Sequence, residues 1–196
     1  MSKSIDPTCL NQDEIASLRR GVSKYLWIQE HRFGDLGDAE FQKRYAAFYF
    51  RPSFSIGPEG NKAVYFAMLR EIRERGYRDP IAVMAELYRR LPKKKLFFSY
   101  ATKAVHTFDP VSPIFDSTVE EYLIEREGIP LEWGHPYRDE ATARRDFDAL
   151  KRWYASFLAT GRAKRWIAAF DALCPDAAGI SPTKKVDFLI YSCSRD

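Results

Sequence analysis

Apolar side chains recur at steps of three and four along most of this chain, the period of amphipathic helices and not of strands. Ile15, Leu18, Val22, Leu26 and Trp27 fall on one side of a first helix, which Asn11 or Asp13 can cap and which runs to about Glu30. A glycine-containing stretch, 33–37, breaks it. Asp38 opens a second helix, in which Phe41, Tyr45, Phe48 and Tyr49 form an aromatic stripe that reads as core. Pro52, Gly57, Pro58 and Gly60 predict a loop. Val64, Tyr65, Met68, Leu69 and Ile72 predict a helix from Asn61 to about Arg75, ended by Gly76. Asp79-Pro80 supplies an N-cap and a first-turn proline for a helix to Arg90. Leu91-Pro92 stops that helix, Lys93–Lys95 turns, and 96–107 form the next.

Asp109-Pro110-Val111-Ser112-Pro113 must be an extended connection, because two prolines cannot continue a helix. Asp116 then caps a helix to about Glu127, and Gly128 terminates it. A loop at 129–137 leads to a long helix over 139–160, which Gly161 separates from 162–173. Ser181 and Pro182 start a last helix through Ser192. No segment sustains strand alternation, and there is no internal repeat or low-complexity tract. The pattern predicts a compact all-α fold, one domain over 1–196 that can take the form of two lobes about a cleft.

Composition agrees: 45% apolar residues with 14 Phe, 11 Tyr and 4 Trp suit a packed globule, and most of those rings are expected in the core. A net charge of +4 fits nucleic-acid binding only weakly. Lys and Arg gather at 70–78, 89–95, 144–152, 162–165 and at Lys184 and Lys185, mixed with acidic residues as on solvated helix faces. Cys9, Cys174 and Cys193 have no disulfide or metal-ligand spacing, so a reducing compartment and no structural metal are expected. The first twenty residues lack an apolar signal segment and no run is long enough for a membrane span, which predicts a cytoplasmic protein. His31, His106 and His135 form no HxxxH or Ser/His/Asp pattern, and there is no P-loop or GxGxxG. No metal or cofactor is expected.

The chemistry concentrates in PIAVMAELYRRLPKKKLFFSYATKAVHTFDPVSPIFDSTVEEYL, residues 80–123: helix, tight turn, helix, proline-bounded link, Asp-capped helix. That order resembles the centre of the helix–hairpin–helix DNA glycosylase superfamily. Ser99-Tyr100-Ala101-Thr102-Lys103 stands where the superfamily has Gly-x-Gly-x-Lys, with Ser99 and Ala101 at the glycine positions. Pro113-Ile114-Phe115-Asp116-Ser117-Thr118-Val119 is similar to its Asp segment, and the run Lys93-Lys94-Lys95-Leu96-Phe97-Phe98 resembles the archaeal 8-oxoguanine glycosylase branch. The resemblance implies a helix–hairpin–helix centre, a DNA partner and excision of an oxidised or otherwise modified base. Lys103 would be the nucleophile of a glycosylase with lyase activity and Asp116 its carboxylate partner. Lys93, Lys94, Lys95 and Ser99 would contact the DNA backbone.

The residues suit that chemistry. A Lys amine attacking the sugar C1′ must be neutral, which desolvation or a nearby cation favours. Lys103 lies among Phe98, Ala101, Ala104, Val105 and Phe108, and His106, one turn on, would add to the effect when protonated. A carboxylate at a helix N-terminus is favoured by the helix dipole, and Asp116 could stabilise the positive charge that develops as the base leaves. A base flipped from the duplex needs an aromatic-lined pocket. Trp27, Phe48, Tyr49 and Tyr100 are candidates for it, with His106 beside the substrate. Asp109 precedes Pro110 and reads as a turn residue.

Ordinary readings compete. A single Lys near a helix start is usually solvated, and an Asp before Ser-Thr-Val-Glu-Glu is usually only an N-cap. A non-catalytic helical module that binds nucleic acid or a protein on the same scaffold stays open, as does an unrelated helical protein. A monomer is expected.

Overall fold

The computed structural model describes residues 10–50, 59–91, 96–132 and 139–193. Among them are nine α-helices and no strand: α1 (Gln12–His31), α2 (Ala39–Tyr49), α3 (Glu59–Arg75), α4 (Pro80–Arg90), α5 (Phe98–Phe108), α6 (Ser117–Glu127), α7 (Glu140–Leu158), α8 (Gly161–Leu173) and α9 (Pro182–Cys193). A short 3₁₀ turn, Pro175–Ala177, precedes α9. The fold is all-α, as the periodicity predicts. The expected loop at Pro52, Gly57 and Pro58, the turn at Lys93, Lys94 and Lys95, most of the 129–137 loop, Cys9 and His135 lie outside the described residues.

Short polar side chains set the helix starts. Asn11, not Asp13, caps α1, accepting from the amides of Asp13 and Glu14 while the Glu14 carboxylate accepts the Asn11 amide at 2.6 Å. Asp38, Asp79, Asp116 and Asp139 cap α2, α4, α6 and α7, and Thr160 caps α8. Gly76 and Gly128 follow α3 and α6 with φ of 67° and 64°, a left-handed backbone that a side chain would strain.

The core forms around α5. Nine of its eleven residues are buried, and it packs against α3 and α4. Phe98 meets Phe147 of α7, and His106 meets Tyr25 of α1. The last helix is the second core element, packed against α1, α6, α7 and α8. Every residue from Thr183 to Ile190 is buried, charged ones included. This corrects one expectation: Lys184 and Lys185, read as solvated, are 5% and 6% exposed. Each keeps a carboxylate, Lys184 with Asp187 and Lys185 with Asp171 at 2.6 Å. Other basic runs do lie on solvated faces among acids, as in Arg144–Asp79 at 3.0 Å and Lys151–Asp148 at 2.7 Å. No helix among the described residues is long and apolar enough to cross a membrane.

Candidate active site

Helix α5 exposes one stripe. Ser99 and Lys103 are its only residues that are not buried, and at i and i+4 they share a face. That face forms part of the wall of a cavity of about 800 Å³. Further along the same face the helix is fixed by its neighbours. Nδ1–H of His106 donates to the Ser112 carbonyl at 2.6 Å, and the Tyr25 hydroxyl lies 3.0 Å from Nε2. Burial pushes the His106 pKa down to about 3, assisted by the Lys184 charge. His106 is therefore a neutral structural link between α5, α1 and the proline-bounded connection. The protonated neighbour expected for Lys103 is not formed, and His106 does not line the cavity.

The connection after α5 returns the chain to the same cavity. Thr102, adjacent to Lys103, donates its hydroxyl proton to the Ser99 carbonyl at 2.9 Å and accepts the Phe115 amide at 3.2 Å. Phe115 immediately precedes Asp116, so one buried hydroxyl sets the position of the Asp segment against the Lys helix. Ser181, at the start of α9, donates to the Pro110 carbonyl at 2.6 Å and holds the other end of the link. Asp116 uses one oxygen, Oδ1, to accept from Thr118 at 3.2 Å and Val119 at 3.1 Å. Its carboxylate thus sits at the positive end of α6 and lines the cavity with Lys103.

The aromatic wall comes from three elements. Phe48 and Tyr49 end α2, Tyr100 lies on α5 with its ring 5.8 Å from Lys103 Nζ, and Phe188 lies on α9. Phe48, Tyr49, Tyr100 and Ser99 therefore meet Lys103 and Asp116 in one space. Trp27 does not. It stacks on His31 with centroids 4.0 Å apart and carries the Arg44 guanidinium 4.4 Å from its ring. Lys93, Lys94 and Lys95 lie outside the described residues.

The residues that sequence reasoning missed are Lys184 and Asp187. They form a buried ion pair in the cavity wall. Lys184 Nζ lies over the rings of Phe188, Tyr25 and Phe48 at 4.6, 5.4 and 5.8 Å. Burial pushes the Asp187 carboxyl up; the cations of Lys184 and Lys103 oppose this, and the Asp116 charge adds to it. Asp187 thus feels both candidate catalytic groups. A usable signal was present: Lys-Lys-Val-Asp-Phe-Leu-Ile places charges in a helix apolar on every side. Asp13, Glu14, Arg20 and Lys24 of α1 complete a rim of mixed charge.

A second, open depression of about 630 Å³ touches the proline link and holds Arg78, Arg144 and Lys151 among acidic residues, but neither Lys103 nor Asp116. Among the described residues no group of three or more His, Cys, Asp or Glu is placed to hold a metal ion. Compared with protein-family models, curated proteins and solved structures, the chain matches none.

Proposed function

We propose that this chain is a DNA base-excision enzyme, a glycosylase with lyase activity that removes an oxidised or otherwise modified base. The observation that carries the proposal is that Lys103 and Asp116, thirteen residues apart, line one aromatic-walled cavity. The neutral Lys103 amine attacks C1′ of the flipped nucleotide, the bond from C1′ to the base breaks with its electron pair leaving on the base, and the attacking nitrogen gives up its extra proton to water. The Asp116 carboxylate, fixed by two amides, faces the positive charge that develops on the sugar. Phe48 and Tyr100 offer ring faces to the extruded base. Collapse of the aminal gives an imine between Lys103 and C1′, from which the strand is cleaved by elimination.

The test is incubation with duplexes carrying a panel of oxidised bases, with borohydride present, scoring released base and covalent protein–DNA adduct. Both are expected for at least one substrate, and Lys103→Gln loses both. No release and no adduct across the panel would overturn the proposal.

A second reading is a binding module without catalysis. It is favoured by Ser99 and Ala101, which are right-handed helix within α5 and not a glycine turn presenting its backbone. On that reading Lys103→Gln abolishes no reaction and lowers the salt slope of DNA binding by about one.

A further inference from the structure

We infer that Lys184 is a second catalytic lysine, the general acid that protonates the departing base; this rests on the base-excision reading of the same cavity. The pair it forms with Asp187 is a poor device for stability, since a buried ion pair can usually be replaced by apolar side chains without loss. This one is buried where the core helix α9 meets the cavity, and both of its residues line that cavity.

Its place fits the departing base. Lys184 and Lys103 line the same cavity, and Lys184 Nζ lies 4.6 and 5.8 Å from the ring centroids of Phe188 and Phe48 in its wall, so a base stacked on that wall with its C1′ at Lys103 would meet a cationic N–H donor. Base departure puts an electron pair on a ring nitrogen, and a positioned donor is worth roughly 10²–10⁴-fold in rate. In the step, the C1′–N bond breaks toward the base and an Nζ–H proton of Lys184 moves to the base. The neutral amine left behind stays hydrogen-bonded to the Asp187 carboxylate and recovers its proton from water. Lys103 keeps the bond to C1′. The cavity then holds two amines with separate tasks, of which Lys184 keeps its pair with Asp187.

Lys184→Arg separates the tasks, because a guanidinium keeps the charge and the Asp187 pair but does not give up a proton. Two rates are read on the full chain: base release from a modified duplex, and borohydride trapping on a duplex with a preformed abasic site, which has no base to protonate. Base release is expected to fall by about 100-fold or more while trapping stays within about threefold of wild type. Lys184→Gln, which keeps a donor to Asp187, is run beside it, and circular dichroism verifies the fold of both. Base release within threefold of wild type in the folded variants overturns the assignment. So does an equal loss of release and trapping, which would make Lys184 a support for Lys103. If wild type forms no adduct on the abasic duplex and releases no base, the base-excision reading fails and the general acid falls with it.

Discussion

The Thr102 hydroxyl accepts the backbone amide of Phe115 at 3.2 Å, a buried bond joining the residues next to Lys103 and Asp116. Its own proton goes to Ser99, so the hydroxyl is used in both directions. Thr102→Val keeps the shape and leaves the Phe115 amide unsatisfied, which is expected to cost about 1–3 kcal/mol. Urea unfolding checks the stability. Adduct formation at Lys103 should fall by more than Thr102→Ser lowers it, since Ser restores the bond.

Neutral His106 predicts a pH dependence. Its folded pKa of about 3 lies below the ordinary value of 6.5. The stability it contributes is therefore complete above pH 6.5 and is lost as pH falls toward 3, at roughly 1.4 kcal/mol per unit. His106→Gln has no such group. The stability gap between wild type and variant should narrow by roughly 2–3 kcal/mol between pH 7 and pH 4.5. A gap that is constant with pH in denaturant titrations would show that His106 is not held neutral.

Glu120 predicts the opposite sign. Burial, then the charges of Asp146 and Asp116, raise its pKa from 4.5 to about 7. Its contribution is present below pH 4.5 and is lost as pH rises through 7. Glu120→Gln should unfold at a higher temperature than wild type at pH 8, by an amount corresponding to about 1–3 kcal/mol, and show no gain at pH 4.5.

Much of the fold was legible in the chain because its signals are local. The Asp or Asn caps of α1, α2, α4, α6 and α7, the glycines after α3 and α6, and the prolines of the 109–113 link all act within a few residues of where they are read. Lys103 and Asp116 were legible as an ordered pair for the same reason. Lys184 and Asp187 were legible only as charges in an otherwise apolar helix; their pairing in the cavity wall was not, because it comes from packing α9 among α1, α6, α7 and α8, contacts remote in sequence. Trp27 failed as a pocket residue because an amphipathic pattern gives a face and not the object against it, and here Trp27 meets His31 and Arg44. His106 was misread in charge, since its state depends on Tyr25 and Ser112, one of them 81 residues away.

Phe48 is a half-buried ring of the cavity wall. Phe48→Leu keeps the apolar packing and removes the stacking face, so the Kd for a duplex with a modified base should rise by about tenfold. Binding to undamaged duplex should change little. Equal losses on both in a fluorescence titration would place Phe48 outside the base pocket.

The most direct test of the central claim is to reduce wild type with borohydride on a duplex containing one abasic site and map the adduct by peptide mass spectrometry. The modification is predicted on Lys103, absent from Lys103→Gln and weakened in Asp116→Asn. An adduct on any other lysine, Lys184 and Lys24 of the same cavity included, or no adduct at all, would contradict the assignment of Lys103 as the nucleophile.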